Sequence, residues 1–249
     1  MFCTFCEFCS ILDVTKKREL LHLWKQIIVT EWKGADYMKT IITIGRQYGS
    51  AGHSIGKILA DDLGIKYYDK ELLERAAKDS GLCQELFENH DEKPTNSFLY
   101  SLVMDSYSFG YGSTMMDMPL NQKVFLAQFD AIKKISQDGP CVIVGRCADY
   151  ALEENPNVLS IFIKADMQDR IRRIAKLYDL SDAKAKDKIT KIDKQRASYY
   201  NYYTSKRWGE VDSYDLCLNS SVFGIDGTVD MIKQAIEVKE AGIRKIFSI

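Results

Sequence analysis

The 249-residue sequence predicts an α/β fold built on a parallel sheet. Five short apolar runs read as strands: Thr40–Ile44, Ile65–Tyr68, Cys141–Val144, Val158–Ile163 and Tyr214–Leu218. Most are continuous rather than alternating, the pattern of strands covered on both faces. Helical patterns lie between them, at Ser54–Asp62, Lys70–Lys78, Leu120–Gln137, Met167–Tyr178 and about Ala183 to Tyr203. A last amphipathic stretch runs from about Thr228 to Lys239. Strands alternating with helices imply right-handed crossovers and a doubly covered sheet.

The first strand runs straight into GRQYGSAGHSIGKILADDLG. A strand, a glycine-rich loop and a helix N-terminus make an anion site: backbone N–H groups point inward and the helix dipole favours negative charge. Gly49 and Gly52 let the backbone come close to a phosphate. The strict phosphate-loop spacing is G-x-x-x-x-G-K-[ST]. The matching window is Gln47, Tyr48, Gly49, Ser50, Ala51, Gly52, His53 and Ser54. Gln47 replaces the first glycine and His53 the lysine, while Ser54 keeps the hydroxyl that ligates magnesium in such loops. A glycine-rich strand-to-helix turn without a ligand is the other reading of the same residues.

The segment ITIGRQYGSAGHSIGKILADDLGIKYYDKELLERAA resembles the opening of the cytidylate kinase-like family of P-loop kinases, a branch that often lacks the lysine. The similarity continues through most of Thr40 to Asn219. The resemblance implies a P-loop kinase fold: a five-stranded parallel sheet with helices on both faces, a helical NMP-binding insertion and a mobile lid. The kinase domain would span 38–249, with the insertion at about 82–138 and the lid at about 166–208. About seventy residues, Asp69 to Pro140, separate the second and third strands, too many for a simple crossover. They hold a polar loop, NHDEKPTNS, and a Gly/Met-rich loop, FGYGSTMMDMP, and read as an insertion that covers a site. The implied chemistry is transfer of a phosphoryl group from ATP, with Mg2+, to a small phosphorylated acceptor, CMP or dCMP first. A kinase for another small acceptor and a non-catalytic nucleotide-binding regulator stay open, the latter favoured by His53 and Cys147.

The resemblance also distributes roles. Asp69 and Arg75, at the end of the second strand and in the next helix, match the monophosphate site of cytidylate kinases. An Arg grips phosphate bidentately and an Asp can accept from a base or sugar. Taken alone, the pair reads as a helix N-cap and a solvated cation. CVIVGRCADYAL puts Arg146 and Asp149 just beyond the third strand, where open α/β sheets bind ligands. It is similar to the family's GRD segment, with Cys147 where the acid would be. Arg170 and Arg173 share one helix face, as do Asp193 and Arg196. These resemble lid residues, the arginines neutralising charge on the transferring group and Asp193 serving the acceptor side. A solvated charged helix is the plainer reading. Tyr199, Tyr200, Tyr202 and Tyr203 read as packing of the lid helix, with base stacking as the alternative, and Trp208 fits the packing reading. Asn219 and Ser220 are candidates for the loop that approaches adenine.

The formal net charge is −1 and the hydrophobic share 46%. This ordinary globular balance exerts no general pull on nucleic acid or anionic membrane. No segment has the length of a membrane span, and the start lacks the basic region of a signal peptide. The expected setting is the cytoplasm. Of seven cysteines, Cys83, Cys141, Cys147 and Cys217 are scattered and read as reduced core thiols. Cys3, Cys6 and Cys9 have iron–sulfur-like spacing, but Asp13 stands near the place of a fourth ligand. His22 and His90 have no partner pattern, so no metal site is expected of them. Residues 1–37 differ from the rest. Lys33-Gly34-Ala35 back-translates to a purine-rich, ribosome-site-like string shortly before Met38, and the segment reads as upstream sequence translated as protein. A real amphipathic helix using Leu20, Leu21, Leu23, Trp24 and Ile27 is the alternative.

Overall fold

The computed structural model describes residues 38–81, Glu92 and residues 120–247. The chain divides into two units, Met1–Met38 and Lys39–Ile249. Residues 1–37, with Cys3, Cys6, Cys9 and His22, lie outside the described residues, as do Cys83, His90 and most of the insertion.

The strands are β1 (Ile41–Arg46), β2 (Lys66–Tyr68), β3 (Cys141–Val144), β4 (Val158–Lys164) and β5 (Leu216–Asn219). They form one sheet in the order β2-β3-β1-β4-β5. Every pairing is parallel, with Ile42 beside Val142 and Leu159, and Ile161 beside Leu216. Parallel neighbours need crossovers, and the chain supplies helices: α1 (Gly52–Leu63), α2 (Lys70–Ser80), α3 (Leu120–Gln137), the short α4 (Ala148–Ala151), α5 (Met167–Tyr178), α6 (Asp182–Thr204) and α7 (Ser220–Phe247).

Alternate strand residues face opposite layers. Ile44 and Val144 pack under α1, so close that a Cβ at Gly56 would lie 3.1–3.2 Å from their side chains. On the other face Ile41, Cys141 and Ile143 join Leu72 and Ala76 of α2 and Ile132 and Ile135 of α3. Burial on both faces explains why the strands read as unbroken apolar runs. The start of β1 is pinned by α7: Glu240 Oε1 accepts from the N–H groups of Lys39 (3.0 Å) and Thr40 (2.9 Å) and from the Thr40 hydroxyl (2.5 Å).

Two smaller cores pack α5 and α6. Ile171, Ile174, Ala185 and Ile189 join α5 to α6 beneath Tyr48. Phe125 of α3 stacks on Tyr203 of α6 with ring centroids 4.0 Å apart. Tyr199, Tyr200 and Tyr214 complete that aromatic cluster with Phe162 and Cys147, in keeping with the packing reading of Tyr199, Tyr200 and Tyr203, while Tyr202 is half exposed.

The last helix differs from its expected start at Thr228. It begins at Ser220 and is broken at Gly224, with φ 69° and ψ −176°. The Thr228 hydroxyl donates to the Gly224 carbonyl at 2.5 Å, so the visible amphipathic pattern is the second half of a kinked helix. Cys141 and Cys147 are buried free thiols, and Cys217 is half-buried. Burial pushes the Cys141 thiol up to about 12. Among the described residues no helix is long and apolar enough to cross a membrane.

Candidate active site

The loop between β1 and α1 is shaped by two left-handed residues, Gly49 (φ 82°) and Ala51 (φ 64°). Helix α1 then starts at Gly52 with no side chain capping it. Its first intrahelical donor is the Ile55 N–H, bonded to the Ala51 carbonyl. The N–H groups of Gly52, His53 and Ser54 therefore sit at the positive end of the helix without helical acceptors.

The loop's carbonyls are occupied by protein. Arg170 Nε donates to the Tyr48 carbonyl (2.9 Å), the Arg173 guanidinium to that of Gly49, and the Ser220 hydroxyl to that of Ser50 (2.8 Å). Gln47 uses its side-chain oxygen on the Ala165 N–H at 3.1 Å. The Tyr48 N–H donates to Asp193 Oδ1 at 2.8 Å, and Asp193 Oδ2 accepts from Arg170. The loop carbonyls are thus turned toward surrounding side chains, while the N–H groups of Gly52, His53 and Ser54 stay without helical acceptors, the polarity that an anion requires. Gly52 is sterically demanded, because a Cβ there would lie 2.6 Å from the Arg46 Cβ.

Beside the loop, at the same ends of the strands, lies a network of charges. The turn after β3 holds three consecutive left-handed residues: Gly145 (φ 79°), Arg146 (φ 53°) and Cys147 (φ 56°). Such a run costs energy at Arg146 and Cys147, and specific bonds hold it. The Arg146 guanidinium is buried, pairs with Asp69 and donates to the Val144 carbonyl at 2.9 Å. The Arg146 backbone N–H donates to Glu92 Oε1 at 3.2 Å. Glu92 also pairs with Arg46 Nη1 (2.5 Å) and Arg196 Nε (3.0 Å). Burial pushes the Asp69 carboxyl up, but Arg146 and Arg46 outweigh it and hold it below its ordinary value. Glu92 is held well below its own by Arg46, Arg196 and Arg146, against burial.

His53 joins this network rather than standing alone over the loop. Its Nδ1 lies 2.8 Å from Asp69 Oδ2 and 2.8 Å from the Tyr67 hydroxyl, while 67% of its side chain is exposed. The imidazole thus links the phosphate loop to the acidic end of β2.

Comparison with known proteins gives the fold a family. The profile of the Cytidylate kinase-like family matches residues 41–222, which contain the whole site. The chain belongs to the cytidylate kinase-like family. It is 26% identical over 213 residues to the cytidylate kinase of Pyrococcus horikoshii, covering 83% of this chain and 95% of that one. To the cytidylate kinase of Methanococcus vannielii it is 24% identical, over 79% of this chain and 99% of that one. A crystal structure of an uncharacterized protein from Eubacterium ventriosum is similar with a TM-score of 0.61 at 30% identity, covering 80% of this chain and 99% of that one. The fold is that of a P-loop kinase, and the family is one of kinase-type phosphotransferases.

Within that family's frame, the structure brings His53, Asp69, Arg146 and Arg196 together and leaves others apart. Arg75, expected at the acceptor phosphate, is half-exposed on α2 and pairs with Asp79 (3.3 Å) and with Asp138, which follows α3 (3.8 Å). The i, i+4 relation to Asp79 draws it to the outer surface. Asp193, expected on the acceptor side, accepts from the Tyr48 N–H of the phosphate loop with Oδ1 and from Arg170 with Oδ2. Arg170 is buried in that pairing, so its contacts serve the loop's shape. Asp149 accepts from the Tyr200 hydroxyl at 2.5 Å, and removal from water pushes its carboxyl up. Ser54 is exposed at the first turn of α1. Ser220 is buried and ties the phosphate loop to β4 through the Ser50 and Lys164 carbonyls. Asn219 donates to Asp166 at 3.1 Å.

Sequence reasoning missed Glu92 as a member of the site. It reads there as one acid in a polar loop, and no spacing relates it to Arg46 or Arg196. Gly145 was the one available signal. A Cβ there would lie 2.0 Å from Arg46 Nη1 and 2.3 Å from Glu92 Oε1.

Proposed function

We propose that this chain transfers the γ-phosphoryl group of ATP to a nucleoside monophosphate, CMP or dCMP foremost, in the cytoplasm. One observation carries the reading. Two anion positions meet at the same ends of the strands: the uncapped N-terminus of α1, and the arginines gathered around Glu92 and Asp69. A kinase needs both, one for donor phosphates and one for an acceptor phosphate. The names of the 24–26% identical relatives support the nucleotide acceptor.

Donor phosphates would rest on the N–H groups of Gly49 to Ser54. Mg2+ takes oxygen ligands and keeps several from water and phosphate. The exposed Ser54 hydroxyl beside the uncapped helix end fits that modest demand, and the ion would supply charge neutralisation. Arg146 and Arg196 would hold the acceptor phosphate, with Asp69 fixing Arg146. Arg173, bonded to the loop at Gly49, is placed to meet charge on the transferring group. In the reaction the bond from the γ-phosphorus to its bridging oxygen breaks, and a bond to an acceptor phosphate oxygen forms. The protein's share is positioning and electrostatics.

The test is ADP formation from ATP and Mg2+ over a panel of CMP, dCMP, UMP, AMP and GMP. CMP or dCMP should show the highest kcat/KM. Turnover with another acceptor only would redirect the specificity. ATP binding with no turnover on any acceptor would favour a nucleotide-binding regulator, a reading supported by the histidine in place of the loop lysine and its engagement with Asp69.

A further inference from the structure

We propose that Arg46, Arg196 and the Arg146 N–H form a subsite for a phosphomonoester dianion, and that the Glu92 carboxylate is its resident competitor. The proposal rests on the two-anion reading above and adds that the acceptor position is occupied by the protein itself.

Three donors from three separate elements converge on one carboxylate. Arg46 comes from the end of β1, Arg196 from α6 and the N–H from the turn after β3. A carboxylate satisfies them with two oxygens and one charge. A phosphomonoester presents three oxygens and up to two charges, and guanidinium groups bind it in the same forked manner. Arg46 is buried and Arg196 largely so, the Arg196 guanidinium donating to the Arg46 carbonyl at 3.3 Å. Burial and Arg46 together lower the proton affinity of Arg196, and Glu92 works against them. An anion is therefore required between these two side chains, but nothing in the geometry requires it to be a carboxylate.

Space argues the same way. The cavity at this point is lined by the three arginines, Asp149, Tyr200 and Trp208, among others, and with Glu92 in place its free volume is about 20 Å³. That is room for roughly one water molecule. A phosphate can enter only if the carboxylate leaves. Glu92 is itself held in the left-handed region, at φ 48°. This conformation is unfavourable for a residue with a Cβ, so its ion pairs hold the backbone in a state it would not otherwise favour. A ligand that takes over the ion pairs releases that strain.

The consequence is a built-in threshold. Affinity for the acceptor is reduced by the fraction of molecules in which Glu92 fills the site. A weak or singly charged anion fails to displace it, whereas a dianion held by both arginines succeeds.

The experiment is calorimetric titration of the full chain with inorganic phosphate, which needs neither ATP nor turnover. Glu92→Gln keeps the size and removes the charge, and should bind phosphate about tenfold tighter or more than the parent. In Glu92→Gln/Arg196→Met that gain should vanish, which separates this subsite from the phosphate loop. Melting should show the same pattern, with phosphate raising the Tm of Glu92→Gln more than that of the parent. If Glu92→Gln does not fold, Glu92→Asp retains the charge on a shorter arm and should show a smaller gain, about threefold. Unchanged or weaker phosphate binding in the variants would overturn the proposal, as would a gain that persists in the double variant. Turnover on the acceptor panel with no gain in Glu92→Gln would remove the competitor alone. A gain without turnover would remove the kinase reading alone.

Discussion

The proposed donor and acceptor ends of this site are built in opposite ways. At the donor end side chains serve the backbone: Arg170, Arg173 and Ser220 occupy the loop carbonyls, so its amides are presented at the uncapped start of α1. At the acceptor end the backbone serves the side chains. Three left-handed residues bring Arg146 between Asp69 and Glu92, and Arg46 and Arg196 close around Glu92. A site made of amides binds phosphate whatever the neighbouring side chains are, which is why the loop keeps its polarity with His53 in place of lysine. A site made of paired charges depends on each member, because removing one leaves another buried and unmatched.

That contrast can be broken most directly at Arg146. Its replacement by alanine strands the Asp69 carboxylate, and the expected loss of stability is about 3–5 kcal/mol by urea unfolding. Binding of a non-hydrolysable ATP analogue to the fraction that still folds should persist. A loss below about 1 kcal/mol, the range of exposed pairs, would mean that the network does not hold the acceptor end together.

Gly145→Ala comes next. The new methyl meets Arg46 and Glu92 at a left-handed position, and the combined overpacking and backbone strain should cost about 2–4 kcal/mol. Gly52→Ala strikes the other end, where the methyl meets Arg46 and tilts the start of α1. It should weaken the ATP analogue more than a monophosphate in calorimetry. Equal losses of both ligands in each variant would show that the two ends are one site.

Arg173→Ala separates function from folding. The side chain is partly buried and its bond is to a loop carbonyl, so the melting temperature should shift by only a few degrees. Turnover should fall by at least about a hundredfold if it meets charge on the transferring group. Parent-like turnover would place Arg173 with Arg170, as a support of the loop.

Acid sharpens the comparison least. Asp69 and Glu92 are held below their ordinary values, so each contributes stability that is complete above about pH 4.5 and is lost as pH falls toward the folded-state values. Asp149 has the opposite sign: its raised carboxyl favours the folded state at low pH, and that contribution is lost as pH rises through its folded-state value. Melting curves between pH 7 and 3 should therefore show an acid slope that flattens in Glu92→Gln. An unchanged slope would mean that Glu92 is not an ionised partner of Arg46.

Much of the fold was legible. The five strands lie within two residues of their expected ends, because a parallel sheet buried on both faces leaves unbroken apolar runs. The phosphate loop was legible as strand, glycines and helix start. For Arg75 the structure shows a local partner that the motif reading did not weigh: Asp79, four residues further along the same helix face. Asp193 was expected on the acceptor side and Arg170 in the lid, and their contacts with the phosphate loop depend on which atoms of the loop face α5 and α6.

By itself the sequence determined the alternation of strands and helices, the loop with its open amides, and the residue types able to hold phosphate. Those are local properties, set by side-chain period and by backbone freedom at a few glycines. The tertiary structure alone decided that Glu92 is the counter-ion of the site and that His53 turns toward Asp69. The bonds responsible span 46 residues from Arg46 to Glu92, 77 from Asp69 to Arg146 and 104 from Glu92 to Arg196. No periodicity reaches so far. Ion pairs of that range form only after the β2-β3-β1-β4-β5 order has brought the ends of separate strands together, and burial then obliges each charge to find a partner there.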